Sequence, residues 1–152
     1  MTSLGEFLSS ININSNYYDT LTSGRQENKP GVKYIIVNKK NTILYVGESR
    51  ILGECHNRPL DAMHAEEDAI RKCWKMNIDI KNIRIIIWKE NTFGVKPAFS
   101  CNWCRKFILK NKISIKKFLT PKFTNDKYTG NLTTSVISDN IPVVMCHAVK
   151  KT

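Results

Sequence analysis

The segment IRIIIWK, residues 83–89, decides the fold that the sequence predicts. It is apolar at five of its seven positions, and its apolar and polar residues do not alternate. A half-exposed strand would alternate, so a short run of this kind indicates a β-strand that is covered on both faces. Such a strand belongs inside a sheet with further layers packed against both of its faces.

Segments on either side supply further strands and the helices. VKYIIVN (32–38) and TILYVGES (42–49) are rich in β-branched and aromatic residues and are separated by a short polar turn, which predicts a hairpin. Apolar residues recur at helical spacing over 65–76, and CNWCRKFILKNK (101–112) indicates a second helix. We expect ISIKKFL (113–119) to form the last strand that the pattern identifies.

The predicted order is strand, strand, helix, strand, helix, strand. This alternation indicates an α/β domain with a mixed sheet, in which an antiparallel edge hairpin joins parallel strands. Residues 49–63 and 90–100 are interpreted as two loops, each of which leaves a strand and enters a helix. In a sheet of this kind, we expect the two loops to meet at one end. The tail from Pro121 onward gives no clear pattern.

The length and composition allow one domain. The chain has 152 residues, of which 41% are hydrophobic, enough for a single core. Residues 1–31 are interpreted as an irregular or helical lead-in and residues 32–152 as the domain. No apolar run is long enough to span a membrane, and the first residues lack the pattern of a signal peptide. These features predict a soluble, cytoplasmic protein without a membrane partner.

The cysteines are expected to be thiols or metal ligands. Their number is odd and no export signal accompanies them, which argues against a disulfide framework. Cys73 falls on the apolar stripe of the first predicted helix and is assigned to the core. The five are Cys55, Cys73, Cys101, Cys104 and Cys146.

Two short motifs stand where the predicted loops enter the helices. His64 and Glu66 are two residues apart, and at a first helical turn both side chains can lean toward a common centre. Cys101 and Cys104 form a CxxC at the start of the second helix, where the helix dipole favours thiolates. One histidine and two cysteines form a suitable open zinc site, with a fourth position left for water.

Each motif also has a simpler interpretation. A CxxC can be a redox pair, half of a zinc ribbon or two core thiols. A histidine and an acidic residue at a helix start can serve only to cap the helix and to interact with its dipole. Glu67 and Asp68 are interpreted in this way, as solvated acids of the first turn, with the orientation of a ligand by one of them as the alternative.

The joint pattern, HAE at one strand-to-helix junction and CxxC at the next, resembles the zinc-dependent cytidine/deoxycytidylate deaminase superfamily, whose signature is H-x-E followed by P-C-x-x-C. The resemblance covers residues 32–119, and HAEEDAI is most similar to the deoxycytidylate branch. It implies a three-layer α/β/α cytidine-deaminase-like domain. It also implies that His64, Cys101 and Cys104 bind Zn²⁺ and that Glu66 is the catalytic proton carrier.

The resemblance further implies a hydrolase that deaminates a cytosine nucleotide or nucleoside, as in nucleotide metabolism. In the superfamily an asparagine on the loop before H-x-E often contacts the sugar, and Asn57 is the candidate for this role, with an ordinary turn residue as the alternative. Arg58 beside it is a candidate phosphate contact, and Ala65, Phe99 and Ser100 are the candidate pocket residues. Ser100 departs from the signature, because the superfamily usually has proline directly before the first cysteine. The departure bears on the shape of the pocket wall and hence on substrate choice. Superfamily members are often homo-oligomers.

The charge distribution keeps a second substrate class open. Residues 1–90 carry 13 basic and 11 acidic side chains, whereas residues 91–152 carry 11 basic and 2 acidic ones. This basic part suits a nucleic-acid partner, and the enzyme would then deaminate a tRNA adenosine or a single-stranded cytosine. However, 18 of the 24 basic residues are lysines, which are poorer than arginine in forked phosphate recognition. A third alternative is a non-catalytic deaminase-like protein that keeps zinc as a structural clip.

Overall fold

A computed structural model describes residues 3–13, 31–48, 50–51, 62–63, 65–91, 94–100 and 102–136. These residues form three α-helices and eight strands, with 3₁₀ turns at Ile80–Asn82 and Ile115–Lys117. The elements, in chain order, are α1 (Leu4–Ser10), β1 (Gly31–Asn38), β2 (Ile43–Glu48), β3 (Arg50–Ile51), β4 (Ala62–Met63), α2 (Ala65–Lys75), β5 (Ile83–Asn91), β6 (Gly94–Pro97), α3 (Asn102–Lys110), β7 (Phe118–Thr124) and β8 (Lys127–Thr134).

One mixed sheet organises the domain, in the order β2-β1-β5-β7-β8, with β6 paired to the end of β5. β1 pairs antiparallel with both β2 and β5, whereas β5 and β7 run parallel. β7 and β8 then form an antiparallel hairpin. The mixed sheet with an antiparallel edge hairpin is therefore confirmed, and its parallel part within the described residues is the β5–β7 pair.

Both faces of β5 are covered, as its apolar sequence predicts. Alternate residues of a strand point to opposite faces, so Ile85 and Ile87 face one side while Ile86 and Trp88 face the other. The first side packs against α2 and α3, and the second against α1. All four side chains are fully buried. This arrangement gives the three-layer α/β/α architecture.

Helix α1 belongs to the layer that covers the second face of the sheet. Ser3 and Glu6 form a capping box at its start: Glu6 N–H donates to Ser3 Oγ at 3.1 Å, and Ser3 N–H donates to Glu6 Oε1 at 3.3 Å. Phe7 contacts the ring of Trp88 in β5, with 5.6 Å between the ring centroids. The helix in the predicted lead-in thus packs on the sheet. The proposed boundary at residue 31 stays a prediction.

The C-terminal half contains strands that the sequence pattern did not predict. Residues 94–97, interpreted as loop, form β6. The strand predicted to start at residue 113 starts at Phe118, because Ser114 accepts a hydrogen bond from Lys116 N–H and closes a 3₁₀ turn instead. Pro121 lies inside β7, next to a register shift that lets the ladder continue past a residue without an N–H.

The long loop predicted over residues 49–63 is partly described. Its two ends pair with each other, because β3 and β4 form a short antiparallel ladder. Residues 49 and 52–61 lie outside the described residues. Among the helices that the structure describes, none is long and apolar enough to span a membrane.

Candidate active site

The two motif segments meet at the point where α2 and α3 begin. Ser100 directly precedes the CxxC, and its Oγ donates a hydrogen bond to Glu66 Oε2 at 2.5 Å. The two residues are 34 positions apart, and both are buried, with 4% of Ser100 and 6% of Glu66 exposed. The expected meeting of the two strand-to-helix junctions is therefore observed.

The predicted zinc ligands are only partly within the described residues. Cys104 lies in the first turn of α3 and is fully buried. His64 and Cys101 lie outside the described residues, directly before α2 and α3 in the sequence. Among the residues that are described, no three histidine, cysteine, aspartate or glutamate side chains form a group that could hold a metal. The complete ligand set thus stays a prediction.

The described residues at this junction include donor types that zinc uses in proteins. Cys104 offers a buried sulfur, which is a ligand type that zinc prefers, and Glu66 offers a buried carboxylate on the neighbouring helix. The hydrogen bond between Glu66 and Ser100 joins the two chain segments that carry the remaining predicted ligands, His64 and Cys101. If His64 and Cys101 complete the set, these donors would have the chemistry of an open zinc site with an acid beside it.

The acids that follow Glu66 are not solvated, contrary to the sequence-based interpretation. Glu67 accepts a hydrogen bond from Arg71 Nε at 2.8 Å, and Asp68 accepts one from the Tyr34 hydroxyl. Both acids are buried. The interpretation was wrong for Glu67 because it left out the i,i+4 pair with Arg71, and for Asp68 because Tyr34 lies 34 positions away on β1.

Tyr34 connects the sheet to the first turn of α2. It is fully buried, and burial together with the bond to Asp68 raises the pKa of its phenol far above the ordinary value. The phenol therefore stays protonated and serves as a donor to Asp68. This bond helps to fix the helix turn on which Glu66 lies.

Gly47 makes the position of the Tyr34 ring possible. The two residues are direct partners across the β1–β2 ladder. A Cβ at Gly47 would lie 2.7 Å from Tyr34 Cε2 and closer still to Cζ and the hydroxyl oxygen. The ring therefore occupies the space that any side chain at position 47 would need.

The remaining predicted pocket residues differ in exposure. Ala65 is buried at the start of α2, whereas Phe99 is 44% exposed and lies beside Ser100 in the chain. Asn57 and Arg58 lie outside the described residues, so their roles stay predictions. Among the described pocket residues, Ser100 forms a hydrogen bond with Glu66.

Sequence reasoning missed the main-chain contacts that Ser135 makes with Ser100 and Phe118. Its carbonyl oxygen accepts a hydrogen bond from Ser100 N–H at 2.9 Å, and its own N–H donates to the Phe118 carbonyl at 2.8 Å. It follows β8 directly, in the tail after Pro121 where no element was predicted. Contacts of this kind between main-chain groups leave no signature in residue type.

Cys73 lies apart from these contacts, in the core between α2 and the sheet, as predicted. Burial raises the pKa of its thiol to about 11. It therefore stays a neutral thiol at physiological pH and is a poor nucleophile and metal ligand.

No protein-family model matches the chain, and no curated protein matches it either. The sequence motifs and the contacts around Glu66 are therefore the basis for a functional proposal.

Proposed function

We propose that this protein is a zinc-dependent hydrolytic deaminase that acts on a cytosine nucleotide or nucleoside. The observation that supports this most is the buried hydrogen bond between Ser100 and Glu66, because it joins the acid of the HAE motif to the residue directly before the CxxC. Either motif alone has simpler interpretations, but these explain less well why the two adjoin around a buried carboxylate. The proposal includes a cytoplasmic location and a homo-oligomer.

In this proposal His64, Cys101 and Cys104 hold the zinc. Bound zinc supplies a Lewis acid that lowers the pKa of a water molecule to about 7. Glu66 accepts a proton from the attacking water and delivers it to the ring nitrogen N3, and it then transfers the proton of the new C4 hydroxyl to the departing amine. The water oxygen forms a bond to C4 of cytosine, the bond from C4 to the amine breaks, and uracil and ammonia result.

Phe99 is proposed to form part of the wall on which the base stacks. It is a large apolar side chain that stays 44% exposed next to a buried polar centre, and bases commonly stack on such rings. Asn57 and Arg58 are proposed to contact the sugar and a phosphate.

A second candidate is deamination of a base within nucleic acid. Its support is a set of exposed lysines on α3 and after it, with no acidic residue between Glu90 and Asp126. This support is limited, because Lys117 Nζ is engaged with the Lys81 carbonyl at 2.7 Å. The exposed lysines of this region are Lys106, Lys110, Lys112, Lys116 and Lys122.

The test is a substrate screen on purified, zinc-loaded protein. Cytidine, deoxycytidine, their monophosphates and single-stranded oligonucleotides are each incubated with the protein, and ammonia release and base conversion are measured. We expect conversion of a free nucleotide or nucleoside. Conversion of the oligonucleotide alone would favour the second candidate. A protein that binds zinc and converts nothing would favour the non-catalytic alternative.

Two matched variants test the role of Glu66. Glu66→Gln should retain zinc and fold while kcat falls by about 10²- to 10⁴-fold, the usual contribution of a general acid–base group. Glu67→Gln is the control, since it makes the same change one position along and Glu67 bonds to Arg71 instead. Equal activity in Glu66→Gln and wild type would remove Glu66 from the mechanism.

A further inference from the structure

Both the main chain and the side chain of Ser100 form hydrogen bonds, and the side chain donates to Glu66, the proposed catalytic acid. We propose that Ser100 is a positioning residue, which holds the Glu66 carboxylate in the orientation that proton transfer requires. The inference rests on the proposed deamination and adds to it a residue at which this chain departs from the superfamily signature.

The first step is the bond itself. Ser100 Oγ donates to Glu66 Oε2 at 2.5 Å, a distance within the range of hydroxyl–carboxylate hydrogen bonds. Both residues are buried, so water competes poorly for this bond and the low local dielectric strengthens it. Because the bond uses one carboxylate oxygen, the other oxygen remains to accept and release the proton.

The second step is what fixes the hydroxyl. Ser100 N–H donates to the Ser135 carbonyl, and Ser135 N–H donates to the Phe118 carbonyl at the start of β7. Two residues before Ser100, the Ala98 N–H donates to Thr120 Oγ1 at 2.8 Å. The segment that carries Ser100 is therefore fastened to β7 and to the end of the β7–β8 hairpin. A glutamate side chain has three rotatable bonds, and a fixed donor at its tip restricts them.

The third step explains the departure from the signature. Proline has neither an N–H nor a hydroxyl, so it could make neither of the two bonds that Ser100 makes. With proline at position 100, the Ser135 carbonyl and the Glu66 carboxylate would each lose a donor. Serine at this position is therefore tied to the way in which this chain orients Glu66.

The experiment compares three variants on the substrate that the wild type converts. Ser100→Ala removes the hydroxyl and keeps the N–H, whereas Ser100→Thr keeps both. Ser135→Ala is the control, because it removes a buried hydroxyl nearby that has no hydrogen-bond partner within the described part of the chain. Zinc content, thermal midpoint, kcat and KM are measured for each.

We expect Ser100→Ala to retain zinc and KM while kcat falls by about 10- to 100-fold, as a misplaced catalytic group can cost about 100-fold. Ser100→Thr should recover most of the wild-type kcat, and Ser135→Ala should match the wild type. A kcat in Ser100→Ala within twofold of wild type would overturn the inference. A loss of zinc or of the fold in Ser100→Ala, also present in Ser100→Thr, would overturn the inference too, because it would indicate a structural role.

Failure of the inference and failure of the proposed function give different results. If the wild type is active and Ser100→Ala is equally active, only the positioning role is wrong. If the zinc-loaded wild type converts no substrate, the deamination and the positioning role are both wrong. In that case, urea unfolding tests whether the bond is purely structural. If it is, Ser100→Ala should lower the urea midpoint more in the wild-type background than in the Glu66→Ala background.

Discussion

Gly47→Ala tests how the sheet holds the start of α2. The added Cβ would lie 2.7 Å from Tyr34 Cε2, whereas unstrained carbon atoms stay about 3.5 to 4.0 Å apart. The ring must therefore move by about 1 Å or more. Tyr34 is fully buried among core side chains, so it has little room to move without disturbing its bond to Asp68.

The expected cost has two parts. Overpacking of a well-packed core typically costs about 1 to 3 kcal/mol. Loss of a hydrogen bond to a charged acceptor adds about 1.5 to 3 kcal/mol. We expect Gly47→Ala to lower the free energy of unfolding by about 2.5 to 6 kcal/mol, a large part of the stability of an ordinary domain.

Urea unfolding of a double-mutant cycle is the assay. In a Tyr34→Leu background the ring atoms that obstruct position 47 are absent, so Gly47→Ala should cost less than about 1 kcal/mol there. Tyr34→Phe is the matched control, because it removes the hydroxyl but keeps the ring, so Gly47→Ala should there cost the overpacking part alone, about 1 to 3 kcal/mol. An equal cost in the wild-type and Tyr34→Leu backgrounds would refute the argument.

Three further predictions concern α1, the core thiol and the basic part. Ser3→Ala removes the capping box of α1 and should lower the free energy of unfolding by about 1 kcal/mol in urea titrations, whereas an unchanged midpoint would show that the cap contributes nothing. Because the folded-state pKa of Cys73 is raised from 9.0 to about 11, its contribution to stability is complete below pH 9 and is lost as the pH rises to about 11. The free energy of unfolding should therefore decrease more between pH 8 and pH 10 in the wild type than in Cys73→Ala, by up to about 1.4 kcal/mol per pH unit. Equal decreases in the two proteins would contradict this. Fluorescence anisotropy should show that single-stranded oligonucleotides bind no more tightly than about micromolar at physiological salt, with a weak dependence on salt. Tight binding with a slope of log affinity against log salt near −3 or steeper would indicate several phosphate contacts, since each contact contributes about −0.7.

The layered sheet could be predicted because its central strand carries its own signature. The run from Ile83 to Trp88 is apolar on both faces, and the structure covers both faces with helices. The β7–β8 hairpin was missed, since Pro121 reads as a strand breaker and the register shift that accommodates it is a property of the pairing. Asn125 and Asp126 at its turn both have positive φ, a conformation that these residue types tolerate and that suits two-residue hairpin turns.

The site was predictable where it depends on motifs and unpredictable where it depends on contacts between distant residues. The spacing of His64 and Glu66 and that of Cys101 and Cys104 are visible in the sequence, and they led to the junction where Ser100 and Glu66 meet. The partner of Asp68 is Tyr34, which lies 34 positions away on a different element. A contact of this kind follows from the register of the sheet and from the packing of α2 on it.

The most direct test of the account is the zinc content of the purified full chain, measured by elemental analysis. We predict about one zinc ion per chain, as in other open sites with a single metal ion. The double change Cys101→Ala and Cys104→Ala should abolish the bound zinc, whereas the control Cys73→Ala, which alters a buried core thiol on α2, should retain it. Stoichiometric zinc that survives the double change would contradict the account.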